Sequence, residues 1–267
     1  MFKAYSFLKR DFLIENNYRL SFLARILGVF FNLIIFYFIA KLLDSSTHPA
    51  LADYGGSYFA FVLIGIAFSQ LMGISLSSFA NFFEQEQLWG TQESVLVTPT
   101  PLVKLIVYSS LWSILLTSVE ILLYLFLGIF FFRLDLSQAN WLGSLPFFVL
   151  TLLANCPLGI ISASFIIVYK RGDLSGWLLN KIVQFTSGVY FPIAIFPGWL
   201  KKISLFLPFT YTLEGLRKTL LTNVSLRTLY PELITLTLFS AILLPLSFWI
   251  LNRALKKAKQ MGSLAQY

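Results

Sequence analysis

The chain has 267 residues, 57% of them hydrophobic and only 12% charged, with a mean hydropathy of +0.77. A soluble globular domain carries about 25% charged residues, so most of this chain's surface must meet something other than water, which excludes a soluble domain of this length. The net charge of +8 fits basic loops beside anionic lipid head groups better than it fits nucleic acid, and no nucleic-acid partner is expected.

The first 20 residues mix charges (Lys3, Lys9, Arg10, Asp11, Glu15) with apolar groups. They lack the uninterrupted apolar stretch of a cleavable signal peptide, and the first span is expected to act as signal anchor. On a helical wheel Phe2, Tyr5, Leu8, Phe12 and Leu13 share an arc, with Arg10, Asp11 and Glu15 opposite and Phe7 and Ile14 interrupting the pattern. This predicts an interfacial helix lying along the membrane over 1–20.

A helix needs about 20 apolar residues to cross the hydrocarbon core. Six stretches qualify: 22–43, 57–82, 103–132, 145–169, 177–196 and 233–251. Backbone amides in lipid must be satisfied internally, and these runs lack the short alternation of barrel strands, so an all-α bundle is predicted. His48 stands alone in a polar loop with no metal-ligand partner, and Cys156, the only cysteine, cannot form an internal disulfide. Glu120 sits midway through the third span, where a carboxylate marks a pathway or a buried pair, with Arg25 and Lys181 as candidate partners. Asn32, Gln70, Asn155, Asn180 and Gln184 suit a polar cavity or interhelical hydrogen bonds. Pro157 and Pro245 are read as kinks in the fourth and sixth spans.

Two segments between spans are unusual. In 83–98, Gly90 interrupts the preceding helix, Thr91 is an N-cap, Glu93 falls in the following first turn, and Pro99 and Pro101 end the short helix. It carries Glu84, Glu86 and Glu93 and no Lys or Arg before Lys104. The second, 191–230, is too apolar for a plain loop, yet Pro192, Pro197 and Pro208 cut it into pieces too short to span. It reads as short helices dipping into the outer leaflet; the alternative is a seventh and eighth half-span.

Lys and Arg concentrate in the N-terminal segment, at 170–171 and in the C-terminal tail (Arg253, Lys256, Lys257, Lys259), while the links after spans one and three carry only Lys41 and Arg133 at their edges. The positive-inside rule then places both termini in the cytoplasm, which six spans satisfy. The link 191–230 disagrees, since it would be external yet carries Lys201, Lys202, Arg217, Lys218 and Arg227.

The segment Glu84-x-Glu86-x-x-x-Gly90-Thr91-x-Glu93, closing on Thr98-Pro99, resembles a signature of the ABC-2 type permeases, the membrane subunits of ATP-binding-cassette exporters. Pro192, Pro197-x-Trp199 and Pro208-x-x-Tyr211, followed by Arg217, are similar to that family's C-terminal signature. Gln87 departs from the arginine that many members carry. The resemblance covers 1–267 as a single membrane domain and looks most like the multidrug, daunorubicin-type branch. It implies a homodimer or heterodimer of permeases in the inner (plasma) membrane, each bound to a separate nucleotide-binding ATPase that carries the ATP and Mg. This chain itself would bind no cofactor and would not be an enzyme. The implied roles are ATPase coupling for Glu84, Glu86, Gly90, Thr91, Glu93 and Pro99, and an outer exit gate for Pro192, Pro197, Trp199, Pro208, Tyr211 and Arg217. Spans one, two and five would line the path. The cargo implied is amphipathic: drug-like, lipid or glycan.

The sequence contains no G-x-x-x-x-G-K-[ST] phosphate loop, so this chain cannot cradle ATP by that route. Two other classes remain. A membrane enzyme acting on lipid-linked substrates would need clustered His, Asp or Glu at a span end. A stand-alone secondary transporter would usually show inverted repeats, and no internal repeat is visible.

Overall fold

The structure, a computed structural model, describes residues 2–16, 19–43, 49–88, 102–169 and 173–260. Among these, only helices and their connections occur: α1 (Phe2–Asn16), α2 (Arg19–Leu43), α3 (Tyr58–Leu88), α4 (Leu102–Phe132), α5 (Trp141–Tyr169), α6 (Asp173–Thr186), α7 (Gly198–Leu205), α8 (Pro208–Leu221) and α9 (Tyr230–Gln260). Two short 3-10 segments, Pro49–Tyr54 and Ile193–Ile195, complete them. The protein is an all-α membrane protein.

Five helices are long and apolar enough to cross a bilayer, over Leu23–Leu43, Tyr58–Ser78, Val107–Phe132, Trp141–Phe165 and Tyr230–Lys257. The expected span over 177–196 is divided instead. Helix α6 stops at Thr186 after 14 residues, or about 21 Å, short of a roughly 30 Å core. The chain then turns through Gly188 at φ +81, a left-handed conformation open to glycine. Pro192 and Pro197 prevent the helix from resuming.

Helix α3 is the centre of the bundle: 83% of its apolar window is buried, against 17% for those of α2 and α9. It packs on α4 and α5, while α9 lies along α5. The main core gathers Phe61, Leu63, Ile64 and Leu71 of α3 with Tyr124 of α4, Phe147 of α5 and Phe209 of α8. A second cluster at the other end joins Phe82, Ile160, Ala163 and Leu251. Close approach is set by small residues; a Cβ at Gly159 would collide with the carbonyl oxygens of Ser75 and Leu76, so α5 meets the α3 backbone only as glycine there. Pro146 sits near the start of α5, and Pro157 and Pro245 lie inside α5 and α9 without ending them.

Helix α1 packs beside the start of α4, with Phe7 6.1 Å from Tyr108 and Phe12 edge-on to Trp112 at 5.6 Å. Phe7, which breaks the predicted apolar arc, is therefore an anchor, while Tyr5 and Leu13 of the arc remain exposed. Phe12 is exposed as well, so α1 keeps some apolar side chains outside the bundle.

Candidate functional site

The most constrained polar chemistry lies where α8 meets α3 and the turn after α6. Helix α8 begins with Pro208 at its first position, where the missing N–H costs nothing, and it is apolar on the side that packs on α5 and α3. That packing carries Arg217 inward to 3% exposure. Its guanidinium donates to three main-chain carbonyls: Nε to Phe61 at 3.1 Å, Nη1 to Gly188 at 2.9 Å and Nη2 to Val189 at 2.9 Å. It also lies over the Phe61 ring, 3.4 Å from its centroid. Burial pulls the Arg217 pKa down to about 9 against the opposing influence of Tyr54 and Glu214, which leaves a cation at neutral pH.

This arrangement explains why α6 can stop inside the bundle. The carbonyls of Gly188 and Val189 have left the helical ladder, and irregular backbone at this depth survives only where protein satisfies it. A five-donor planar fork on one side chain does so. The contact also requires Gly65 of α3, since a Cβ there would collide with the Val189 carbonyl oxygen and lie 2.5 Å from Arg217 Nη2.

A second layer surrounds the arginine. The Tyr54 hydroxyl donates to the Glu214 carboxylate, tying the 3-10 segment after α2 to α8. Lys218 Nζ lies 2.8 Å from Glu214 and 3.8 Å from Glu232 of α9. Burial, then the neighbouring Glu214, holds the Tyr54 pKa above its usual value. Burial works to lower the Lys218 pKa, but Glu214 and Glu232 outweigh it and raise it. One helix is thus fastened to α3, to the turn after α6, to the 3-10 segment and to α9.

Of the predicted exit residues, Arg217, Pro208 and Pro192 are buried in this region. The Tyr211 hydroxyl donates to the Leu205 carbonyl at 3.0 Å, closing the hairpin between α7 and α8. Ser204 and Thr210 reinforce that corner through bonds to the Thr186 and Ser204 carbonyls. Pro197 and Trp199 are exposed, Trp199 at 66%, and stand apart from the arginine. Tyr54, Glu214 and Glu232 did not emerge from the sequence; the only local signal was the Glu214–Lys218 spacing of four, which favours a helical ion pair.

Glu120 meets Arg25, one of its two candidate partners, with Nε 3.1 Å from Oε1. The pair joins α2 to α4. One turn on, the Tyr124 hydroxyl meets Gln70 of α3. Asn155 bonds the Thr151 carbonyl of its own helix at 2.8 Å, and Asn180 faces Gly73 across the α3–α6 contact.

Glu84 and Glu86 fall on the last turns of α3, which runs on to Leu88, so that part of the expected 83–98 coupling helix is continuous with the second span. Gly90, Thr91, Glu93 and Pro99 lie outside the described residues.

The family described as ABC-2 type transporter matches residues 4–221, from α1 to the last residue of α8. The chain belongs to that family. It is therefore an integral membrane protein and a permease of an ABC transporter, and the match takes in both the Glu84–Glu86 end of α3 and the whole arginine-centred hairpin. Among curated proteins none matches the chain.

Proposed function

We propose that this ABC-2 permease is the membrane subunit of an ATP-driven exporter, paired with a second permease copy and with a separate nucleotide-binding ATPase. Both termini, α1 and the Glu84–Glu93 segment face the cytoplasm, and the α7–α8 hairpin faces outward as part of the exit gate. The cargo is amphipathic: drug-like, lipid or glycan.

The supporting observation is the course of α3. It is one helix of 31 residues with no proline, carrying Glu84 and Glu86 at one end and the Phe61 and Gly65 contacts of Arg217 at the other. These two points are about 35 Å apart along a rigid rod. An ATPase pressing on the segment after Leu88 would move the backbone to which the hairpin is locked. Nucleotide then biases a two-state bundle without any chemistry on this chain.

The test is purification of the tagged chain in mild detergent, followed by assay of co-purifying ATPase activity. A stoichiometric ATPase is expected, and charge reversal at Glu84 or Glu93 is expected to reduce its coupling to transport while the bundle stays folded. Purification from intact membranes without any ATPase, or full coupling after both reversals, overturns the reading in favour of a stand-alone transporter or a membrane enzyme.

A further inference from the structure

Where α2 and α4 end and α3 begins, a cavity of about 540 Å³ opens between them. One side of it is aromatic, and Ser57 and Gly55 contribute polar lining. Tyr37 of α2, Phe59 of α3 and Phe132 of α4 pack on one another with ring centroids 4.9, 5.4 and 5.7 Å apart. Its rim carries Lys41, Arg133 and Asp135.

The three charges are not equivalent. Residues 133–136 alternate between exposed and buried, with Leu134 and Leu136 turned into the core and Arg133 and Asp135 outward. Asp135 is committed to the turn that follows, accepting the Ser137 N–H at 3.0 Å. Lys41 and Arg133 make no hydrogen bond or ion pair among the described residues. Arg133 adopts φ 54 directly after α4, while the Leu134 N–H returns to the Gly128 carbonyl at 2.9 Å. Glycine is the usual residue for a left-handed position closing a helix; arginine keeps it against a steric cost, and such costs collect at ligand clamps. A favourable helix dipole accounts for cations near the ends of α2 and α4, but not for an aromatic cavity between them.

Lys41 lies within the last turn of the Leu23–Leu43 span and Arg133 immediately beyond Val107–Phe132. Both therefore stand at head-group depth, beside a wall that reaches toward the hydrocarbon. A free anion would use only the rim, whereas a ligand charged at one end and apolar at the other would use rim and wall together. Basic pockets between membrane helices bind anionic lipid head groups on the cytoplasmic side; in the topology proposed above this one opens on the outer side, so its ligand is an outer-leaflet lipid.

We propose that the cavity binds the phosphate head group of an anionic phospholipid, with Lys41 and Arg133 holding the phosphate and Tyr37, Phe59 and Phe132 covering the adjoining carbons. The site depends on the span ends and not on the proposed ATPase. It is tested by native mass spectrometry of the detergent-purified protein with added phosphatidylglycerol. K41Q/R133Q is expected to lower phosphatidylglycerol occupancy at least tenfold with an unchanged melting temperature, because neither side chain has a partner among the described residues. K201Q/K202Q, which removes two exposed lysines on α7, serves as the control and is expected to leave occupancy intact. Unchanged occupancy in K41Q/R133Q overturns the site. Equal retention of phosphatidylcholine overturns the anionic selectivity, and displacement by equimolar glycerol 3-phosphate reassigns the cavity to a soluble phosphate ester.

Discussion

Replacing Gly65 with alanine isolates the packing that holds the arginine in place. In an ordinary helix interior this change stabilises by about 0.5–1 kcal/mol, because glycine loses more backbone entropy on folding. At position 65 the added Cβ would lie 2.5 Å from Arg217 Nη2 and collide with the Val189 carbonyl oxygen. One obstacle is backbone and the other a buried guanidinium held by three bonds, so neither yields easily. Overpacking of this kind costs about 1–3 kcal/mol, and displacing the bond from Nη2 to Val189 adds about 1.5–3 kcal/mol for a charged donor. After subtracting the entropic gain, G65A should destabilise by about 1.5–5.5 kcal/mol. The assay is thermal melting of the purified protein in detergent, read by circular dichroism. Gly28→Ala is the control, since nothing lies within 4 Å of its Cβ position, and it should melt at or above the parent temperature. A G65A protein that melts with G28A would show that the Arg217 contact does not fix the approach of the turn to α3.

Arg217→Lys keeps the charge but loses the planar fork, leaving at least one of three buried carbonyls unpaired; a loss of about 1–3 kcal/mol is expected in the same melt, and wild-type stability would count against the lock. Tyr54→Phe removes the hydroxyl that reaches Glu214, a change of about 1 kcal/mol; the reading of the hairpin as gate expects altered transport at nearly normal stability, and unaltered transport would make the bond purely structural. Arg25 and Glu120 should show a coupling of about 1–3 kcal/mol in a double-mutant cycle, with E120Q alone more harmful than R25Q/E120Q. Additive losses would mean that the ion pair seen between α2 and α4 contributes nothing.

The apolar runs were legible because a bilayer demands them: five of six stretches became long helices, two of which run on past their expected ends, to Leu88 and to Gln260. The division at Thr186 was not, because Ser187-Gly188, a local turn signal, is flanked by apolar residues on both sides and was absorbed into the expected span. What stabilises the break is Arg217, nearly 30 residues on, which satisfies the carbonyls that leave the ladder. Tyr54 and Glu214 were missed for the same reason, since a bond across 160 residues leaves no periodic trace. Trp199 shows the converse case: the family pattern singled it out, yet its side chain is 66% exposed. The excess of positive charge in 191–230, which opposed an external placement, is also resolved in part. Arg217 is internal and Lys218 is paired with carboxylates, so only Lys201, Lys202 and Arg227 of the five remain exposed. A residue that satisfies backbone within the fold carries no weight as a topological signal.

The uneven burial of the helices bears on how such a permease moves. Helix α3 is fixed on several sides: to α5 at Gly159, to α4 where Leu63 meets Gly128, and to the turn after α6 at Gly65. The contacts at Gly159 and Gly65 have little room to slide, because each sets a glycine against a neighbour's backbone. Helix α2 buries Val29, Leu33 and Ala40 in the main core, and its other contacts are side-chain ones: the Arg25–Glu120 pair, Phe36 stacked on Tyr190, and the aromatic cluster of Phe30, Tyr37 and Phe132. Side chains of that kind can re-pair and re-stack at lower cost than a close-packed glycine contact. In the proposed exporter, α3, α4, α5 and the α7–α8 hairpin therefore travel as one body, and the compliant seam lies along α2. Disulfide trapping distinguishes the two: a crosslink between α3 and α5 should leave transport intact, whereas one between α2 and α4 beside Arg25 should arrest it with the ATPase still bound.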